Sequence, residues 1–394
     1  MISVSDAIEI IGKNVSIAEA IGLPLSEATG LVLADDIYAT ADIPAFPQSS
    51  MDGYALSFDA WSVHRQLTIQ GEVAAGSNQP FQSAPDKAVR IFTGAPVPPG
   101  TDTVVMQEKT RTENGKLIIE DEKLRMGTNV RQQGSEIKAG MLALSKNTLL
   151  SPGAIGFLAG IGINEVKVYP NPTITIIVTG NEFQKQGNPL QYGQVYESNS
   201  FALSAAMKQI NLHGVQVQRV RDDLKSLINV MQEALQNSDV VLLTGGISVG
   251  DYDFVLQAAS TCGVEKLFHR VKQRPGKPLY FGKKDKKLVF GLPGNPSSVL
   301  TCFYIYVLRA LGQLSNRSLA LQTIHAPLGK TFRKDAGLTH FLKGHYDGKV
   351  ATPLDAQESY RMRSYALANC LIQIDEEVAE YLEGASVKVH LIRN

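Results

Sequence analysis

The chain has 394 residues, of which 44% are hydrophobic and 19% charged, so it is too long for one ordinary core and too apolar for a disordered protein. Lysine plus arginine and aspartate plus glutamate each total 38, and the zero formal net charge excludes a general attraction to nucleic acid or to an anionic membrane. Three cysteines, none of them in a C-x-x-C pair, argue against a disulfide framework and a structural zinc site.

The amino terminus and the apolar runs bear on localisation. Asp6 and Glu9 stand where a signal peptide would need positive charge. The longest apolar run, residues 299–308, is shorter than the roughly 18 residues that a membrane span requires. Together with the unpaired cysteines, these features predict a cytoplasmic protein without a membrane segment.

The hydrophobic pattern of the first 168 residues changes twice along the chain. Residues 1–40 look helical, with Ser5 as a cap and residues 26–37 as a second helical stretch. Short alternating segments with glycine and proline turns then predict a β-rich domain, after which residues 139–168 become mildly helical again. We therefore predict a discontinuous domain of residues 1–43 and 137–168, interrupted by a β-rich domain of residues 44–136.

Strands alternate with helices from residue 169 to residue 317. The stretches TITIIVTG, VQVQRV and DVVLLTGG have the composition of strands, and the segments between them have helical periodicity. This alternation predicts a mostly parallel sheet with helices on both faces, whose ligands bind at the carboxyl ends of the strands. Residues 318–394 return to short alternating segments and predict a C-terminal β domain. The predicted fold class is therefore multi-domain α/β and β.

The stretch GISVG, residues 246–250, has two chemical interpretations. Ser248 could be the nucleophile of a G-x-S-x-G elbow, or the glycines could cradle a phosphate. Gly245 and Gly246 both precede the serine, acidic residues follow it, and no histidine has a local signature, so we favour the phosphate turn. A plainer alternative stays open, in which the glycines only turn the chain and Asp251 caps the next helix.

Several charged residues follow the ends of predicted strands. Glu182, Asp222 and Asp253 each fit a solvated loop when taken singly. Together they would converge on one edge of the sheet, where oxygen ligands suit Mg²⁺ bound to a phosphorylated substrate. Arg274 and Lys277 in QRPGKP add cations on a backbone stiffened by prolines, so the predicted substrate is an anion.

Two loops of the β-rich domain carry specific polar residues. Asp52 lies in QSSMDGYA, and Thr93 lies in the proline-rich stretch RIFTGAPVPPG. Rigid loops often carry binding residues. Simple turn formation within a β domain explains these loops equally well from their composition.

Taken together, these stretches resemble one family, the molybdopterin molybdenumtransferases, which includes the E domains of plant and animal molybdenum-cofactor proteins. The similarity runs from residue 30 to about residue 300, in the order of the family. The matching stretches are SSMDGYA, RIFTGAPVPPGTDTVVMQE, NVRQQGSEIKAG, VTGNE, RDD, LLTGGISVGDYD, RPGKPLYFG and GLPGNPSS.

The resemblance implies a reaction and an architecture. The family takes adenylylated molybdopterin and molybdate, hydrolyses the adenylate with a divalent cation such as Mg²⁺, releases AMP and forms molybdenum cofactor. It implies an α/β molybdopterin-binding domain, a linker domain, an inserted β domain and a C-terminal β-barrel. It also implies a homodimer whose cleft is shared between subunits, with the molybdopterin adenylyltransferase as a possible partner.

The resemblance also assigns residues to this site. Glu182 and Asp222 would hold the metal. The residues implied to be catalytic are Asp52, Thr93, Glu182, Asp222 and Lys277. The residues implied to bind substrate are Gly245, Gly246, Ser248, Asp253, Arg274, Pro293, Pro296 and Ser364.

The chain departs from the family pattern at several cations. Arg274 stands where a lysine is common, and Leu338 stands where an arginine is frequent. Lys343 is the cation nearest to Leu338 in the sequence. We expect Arg361 or Arg363 to compensate for the missing charge.

Two other functions are compatible with parts of the sequence. One is a relative that carries out adenylylation or hydrolysis, which the SSMDGYA loop and the long amino-terminal region disfavour. The other is a non-enzymatic scaffold, which we do not expect because no partner domain precedes the region of resemblance.

Overall fold

The structure is a computed structural model that describes residues 1–77, 81–245 and 254–392. The chain divides into two compact units, which we call the large unit and the small unit. The large unit comprises Met1–Gly22, Gly30–Val32 and Lys167–Asn394, and the small unit comprises Leu23–Thr29 and Leu33–Val166. The domain boundaries given above remain predictions, and this division groups the amino-terminal helix with the later residues.

Helices occur in both units. Within the described residues, the α-helices are Val4–Asn14, Phe58–His64, Pro152–Gly160, Asn199–Gln209, Leu224–Asn237, Phe254–Thr261, Pro296–Cys302, Leu308–Leu314 and Arg363–Leu367. The short 3-10 helices are Leu25–Glu27 and Gln107–Lys109.

One of these helices is long and strongly apolar. A π-helical turn, Phe303–Val307, joins the helices on either side of it, so that Pro296–Leu314 is a continuous helix of 19 residues. It is long and apolar enough to cross a membrane by composition alone, but 83% of it is buried inside the protein. This burial is that of a core helix, whose apolar surface is covered by the rest of the fold.

Most regular elements of the first 162 residues are short strands. These are Ile21–Pro24, Val32–Leu33, Ile37–Tyr38, Gln48–Ser49, Gly53–Leu56, Gln66–Val73, Lys87–Ile91, Thr103–Met106, Thr110–Glu113, Lys116–Ile119, Val130–Arg131 and Leu142–Leu144. Six of them form a mixed sheet of the small unit, in which Gly53–Leu56 lies between Lys87–Ile91 and Thr103–Met106. The β-rich region expected from the alternating pattern is therefore present.

The amino-terminal region is less helical than the sequence analysis predicts. The first helix starts after Ser3, whose side chain accepts a hydrogen bond from the Asp6 amide, so Ser5 is not the cap. The predicted second helix over residues 26–37 is wrong. Gly30 has a φ of +78°, and the chain on either side of it forms short strands and a 3-10 turn. Helical propensity there is overridden by strand pairing.

The large unit contains a six-stranded sheet. The strands of this part of the chain are, in order, Glu165–Tyr169, Ile174–Thr179, Phe183–Gln184, Val195–Tyr196, Gln216–Val220, Val240–Thr244, Glu265–His269, Gln273–Arg274, Tyr280–Lys284 and Lys287–Leu292, and six of them form this sheet. The sheet order is Gln216–Val220, Ile174–Thr179, Val240–Thr244, Lys287–Leu292, Tyr280–Lys284 and Glu265–His269. The first four strands pair in parallel, and Tyr280–Lys284 pairs antiparallel with both of its neighbours, Lys287–Leu292 and Glu265–His269.

Both faces of this sheet are covered. Ile176 and Leu242 pack in a cluster with the amino-terminal helix and the 19-residue helix. Ile177 and Leu243 point to the opposite face and pack against Leu224–Asn237. Because neighbouring residues of a strand face opposite sides, a strand buried on both faces is apolar throughout. The predicted α/β domain is confirmed.

The last part of the chain consists mainly of antiparallel strands. One sheet contains Gln322–Pro327, Thr339–Tyr346, Ala351–Pro353, Cys370–Ile374 and Ser386–Leu391, and a separate two-stranded sheet contains Phe332–Arg333 and Glu380–Tyr381. The short strand Gln273–Arg274, which comes from the α/β region, pairs in parallel with Thr339–Tyr346. The multi-domain α/β and β fold class is confirmed, and the start of QRPGKP is built into the C-terminal sheet.

Candidate active site

Three parallel strands of the large unit end together. Thr179, Thr244 and Leu292 are the last residues of these strands, and Thr244 pairs with Leu292. Gly245 follows with a φ of +85°, and a Cβ placed on it would lie 2.4 Å from the carbonyl oxygen of Thr179. A side chain therefore does not fit at Gly245. A Cβ on Gly294 would lie 3.9 Å from the Gly245 Cα, so the two turns are close neighbours.

This edge of the sheet contains buried polar atoms that have no hydrogen-bond partner among the residues that the structure describes. They are the hydroxyls of Thr179, Thr244 and Ser297 and the Oδ1 of Asn199. The Asn199 Nδ2 donates to the carbonyl of Gly294 at 2.9 Å, which places this side chain beside the glycine turns. Buried polar atoms almost always have partners in folded proteins. Several unpartnered atoms at one strand edge therefore mark a place that is built to receive polar ligand groups.

Glu182 and Asp222 lie at the same edge. Thr179 pairs with Val220, so the two acids follow neighbouring parallel strands, and both side chains are exposed. The Asp222 amide donates to Asn181 Oδ1 at 3.3 Å. Residues 1–77, 81–245 and 254–392 contain no cluster of three His, Cys, Asp or Glu side chains that could hold a metal. Two carboxylates fit Mg²⁺, which is usually held by one or two carboxylates, waters and substrate phosphates.

The predicted cations lie on a loop that is held in place by a buried side chain. We call residues 273–278 the cation loop. Arg274 and Lys277 are exposed, whereas Gln273 is fully buried and donates to the Pro275 carbonyl at 2.9 Å. The Tyr306 hydroxyl, from the π-helical turn, donates to Gln273 Oε1. The loop thus presents two cations from a neutral buried anchor.

A cavity of about 480 Å³ lies above the cation loop. Arg274, Lys277 and Pro293 line it together with Leu338 and Tyr360. Pro296 is the first residue of the adjoining helix. The structure therefore brings Arg274, Lys277 and Pro293 together around one cavity, next to the glycine turns.

Lys343 does not replace the charge that is missing at Leu338. Its side chain is 2% exposed, and its ammonium donates to the carbonyls of Ala356, Glu358 and Arg361 at 2.8, 3.3 and 3.0 Å. Burial lowers the pKa of this ammonium below its ordinary value. All three of its N–H groups are used within the fold, so Lys343 is not available to an anion.

The other C-terminal candidates differ in accessibility. Arg361 forms an ion pair with Glu358 at 3.2 Å and lies over the Tyr360 ring. Arg363 is exposed. Ser364 is buried, and its hydroxyl donates to the carbonyl of Ala356 at 2.9 Å. Arg361, Arg363 and Ser364 line a separate cavity of about 610 Å³, so the substrate-binding role of Ser364 remains a prediction.

Asp52 and Thr93 form a pair in the small unit. Asp52 Oδ1 accepts hydrogen bonds from the Thr93 amide at 2.7 Å and from the Thr93 hydroxyl at 2.8 Å. The hydrogen bond from the Thr93 amide is the largest cause that lowers the pKa of this carboxyl, and the hydrogen bond from the Thr93 hydroxyl is the next. Both side chains are exposed, so the pair presents a fixed negative charge to solvent.

Four residues with a predicted role lie outside the described part of the chain. These are Gly246, Ser248, Asp251 and Asp253, so the choice among a nucleophile elbow, a phosphate turn and a simple turn with a helix cap rests on the residues around them. The sequence analysis also missed residues that the structure places at the site, namely Thr179, Thr244, Asn199 and Gln273. A signal existed for the two threonines, because each stands directly before a glycine at the end of an apolar strand.

Three family models cover most of the chain. Residues 2–162 match the MoeA N-terminal region (domain I and II), residues 175–313 match a probable molybdopterin binding domain, and residues 325–392 match the MoeA C-terminal region (domain IV). The order of the three matches agrees with the order of the motifs along the chain.

Relatives of known name are similar over nearly the whole chain. The molybdopterin molybdenumtransferase of Staphylococcus aureus strain Mu50 is 33% identical over 99% of this chain and 95% of its own length. The protein of that name from Haemophilus influenzae is 31% identical over 93% of this chain and 92% of its own length. A crystal structure of the molybdopterin biosynthesis MoeA protein from Pyrococcus horikosii is 30% identical, covers 100% of both chains and has a TM-score of 0.81. The chain therefore belongs to the molybdopterin molybdenumtransferase (MoeA) family, as its motifs indicate, and acts in molybdenum cofactor biosynthesis.

Proposed function

We propose that this protein inserts molybdenum from molybdate into adenylylated molybdopterin and releases AMP, as a Mg²⁺-dependent cytoplasmic homodimer. The observation that carries the proposal is the unpartnered polar edge at Thr179, Thr244, Asn199 and Ser297. A phosphorylated pterin offers the donors and acceptors that these atoms lack. The glycine turns allow its phosphate to approach the backbone closely.

The cation loop supports a role in holding the oxyanion. Arg274 and Lys277 present exposed positive charges to a cavity large enough for molybdate and part of the substrate. Arg274 offers a planar set of donors, and Lys277 offers a compact charge. Fixed cations beside a leaving phosphate stabilise the charge that develops as the anhydride bond breaks.

Glu182 and Asp222 are the residues that we assign to the metal. When bound, Mg²⁺ would neutralise charge on the phosphates of the substrate. The two carboxylates would keep it at the strand edge. In the homodimer, the charge of Asp52, held in place by Thr93, would serve the strand edge of the second protomer, and the molybdopterin adenylyltransferase would supply the substrate.

The first test is AMP release by the purified protein from adenylylated molybdopterin, with molybdate and Mg²⁺ varied independently. Release that requires both, with molybdenum retained on the pterin, supports the proposal. Consumption of ATP and unmodified molybdopterin would instead favour an adenylylating enzyme. Absence of both AMP release and pterin binding would refute the proposal.

A pair of threonine variants tests the observation itself. Thr244→Val removes a hydroxyl that has no partner within residues 1–77, 81–245 and 254–392, so stability should be unchanged, whereas affinity for adenylylated molybdopterin should fall about tenfold. The control is Thr175→Val in the same sheet, because the Thr175 hydroxyl is hydrogen-bonded to Ser238 at 2.6 Å. That variant should lower the free energy of unfolding by about 1 kcal/mol and leave binding intact. Equal binding by the wild type and Thr244→Val would remove the main support for the proposal.

A further inference from the structure

Lys343 is a buried charge without a carboxylate hydrogen-bond partner among the described residues. It lies in the strand Thr339–Tyr346, and its ammonium bonds to three backbone carbonyls of residues 354–364, which we call the Lys343-bound segment. Burying an ammonium is costly even when it is hydrogen-bonded, and an apolar side chain of similar size is often cheaper to bury. The stability of the sheet alone does not account for a lysine at this position.

Further hydrogen bonds fasten the segment around Lys343. Gln357 Oε1 accepts from the Lys343 amide at 2.9 Å, and Gln357 Nε2 donates to the Lys343 carbonyl at 2.8 Å and the Leu354 carbonyl at 2.6 Å. The ammonium holds the middle and the end of the segment, and Gln357 holds its start. The segment has little regular structure of its own, so these bonds set its path.

The segment in turn contacts the α/β region through Ser359. The Ser297 amide donates to the Ser359 carbonyl at 3.0 Å, and Asn295 Nδ2 donates to the Ser359 hydroxyl at 2.8 Å. Ser297 lies in the first turn of a helix, where an amide has no partner within the helix and needs an external acceptor. Pro296 stands between the two residues that Ser359 contacts.

We propose that Lys343 is a positioning residue for the cavity above the cation loop, which we call the anion cavity. Lys343 fixes the Lys343-bound segment, so that Ser359 holds the turn at Asn295 and Ser297 in place opposite the cation loop. Tyr360, the next residue of the segment, lines the cavity with Arg274 and Lys277. The spacing of the two walls then depends on a charge that never touches the anion. This inference rests on the proposed function for its ligand, and on hydrogen bonds of the fold for its mechanism.

Hydrogen exchange in the full-length protein tests the mechanism without reference to activity. In Lys343→Met, which keeps an unbranched side chain but removes the terminal ammonium, the Ser297 amide should exchange at least about tenfold faster. Amides of the strand Val240–Thr244 should be unchanged. Lys349→Met, an exposed lysine of the same domain, is the matched control and should resemble the wild type. Unchanged Ser297 exchange in a folded Lys343→Met protein would overturn the proposal.

Molybdate binding, measured by calorimetry with molybdate alone, tests the consequence. The affinity should fall about tenfold in Lys343→Met and recover in part in Lys343→Arg, which restores a buried charged donor. During turnover, KM for molybdate should rise more than kcat falls. Full affinity in Lys343→Met would contradict the positioning role.

A milder variant covers the case in which Lys343→Met does not fold. Ser359→Ala removes only the hydroxyl that Asn295 contacts and should speed exchange at the Asn295 side chain and weaken molybdate binding by a smaller factor. If Ser359→Ala behaves as the wild type while Lys343→Met unfolds, Lys343 serves stability and the proposal is wrong. If the wild type neither binds molybdate nor releases AMP, the proposed function fails, whereas the Ser297 exchange still decides the positioning role.

Discussion

The two walls of the anion cavity are anchored in opposite ways. The cation loop exposes Arg274 and Lys277 and is fixed by Gln273, a neutral side chain buried beneath it. The Lys343-bound segment has the reverse arrangement, because its anchor is a buried cation. A lysine belongs to each arrangement, yet only Lys277 presents its charge to the cavity, whereas Lys343 is buried as an anchor. The availability of a charge is therefore decided by burial and partners, and residue type alone does not reveal it.

The largest expected effect on stability comes from disturbing the packing around Gln273, the neutral anchor of the cation loop. Gly276 has a φ of +93°, and a Cβ there would lie 2.6 Å from Cys302 Sγ and 2.7 Å from Gln273 Nε2. We expect Gly276→Ala to lower the free energy of unfolding by about 3 kcal/mol, from backbone strain plus overpacking. Denaturation in urea measures this loss.

A matched glycine separates the two causes of that loss. Gly348 has a φ of +99°, and nothing lies within 4 Å of a Cβ placed on it. Gly348→Ala should therefore cost about 1 kcal/mol, from strain alone. Equal losses in the two variants would mean that contacts beneath the cation loop contribute nothing.

Acid should weaken the C-terminal domain, which carries the Lys343-bound segment. Burial lowers the pKa of His390 to about 4, and the neutral ring donates from Nε2 to Gln373 and accepts at Nδ1 from Thr323, each at 2.9 Å. As the pH falls below the ordinary value near 6.5, the unfolded chain binds a proton that the folded one does not. The contribution of His390 to stability should therefore decrease by about 2 kcal/mol between pH 7 and pH 5.

Urea denaturation of the wild type and of His390→Leu at both pH values measures this term. The variant should lose about 2 kcal/mol less on acidification than the wild type does. His345→Gln, at an exposed histidine of the same domain, should retain the wild-type dependence. Parallel pH profiles for all three proteins would contradict the prediction.

The smallest expected effect is on Asp52, whose exposed carboxylate is held in place by hydrogen bonds from Thr93 and not by burial. Thr93→Val removes the hydrogen bond from the hydroxyl to Asp52 and keeps the one from the backbone amide. The pKa of Asp52 should therefore rise part of the way toward its ordinary value. Because the folded pKa is depressed, the stability it contributes is present above the unfolded pKa and is lost as the pH falls through the folded pKa. In Thr93→Val this acid-sensitive contribution becomes smaller.

Carboxyl-carbon NMR titration follows Asp52 directly. Thr101→Val is the control, since the Thr101 hydroxyl donates to the Pro98 carbonyl at 2.7 Å in the same loop and does not contact Asp52. A shift in the control as large as that in Thr93→Val would show that general loosening of the loop, and not the hydroxyl bond, sets this pKa.

The sequence predicts the local features of the site better than it predicts the buried residues that hold the site in place. The parallel sheet, the cation loop and the strand-end acids follow from patterns that span a few residues, and the family motifs mark them. Lys343 escapes such patterns, because in THFLKGHY it reads as a polar position of an ordinary strand, whereas Phe341 to Gly344 are all buried by the surrounding elements. The predicted helix over residues 26–37 failed for the same reason, since strand pairing with distant residues decides its conformation.

The burial of the cysteines has a practical consequence. Cys262, Cys302 and Cys370 are all buried and free, and burial raises the pKa of each thiol. Thiolates are the species that react with maleimides, so the native chain resists labelling while it is folded. A cysteine introduced at exposed Tyr360 would then accept a single fluorophore without prior removal of the native thiols. The wall of the cavity could thus carry a reporter whose emission follows the arrival of an anion in real time.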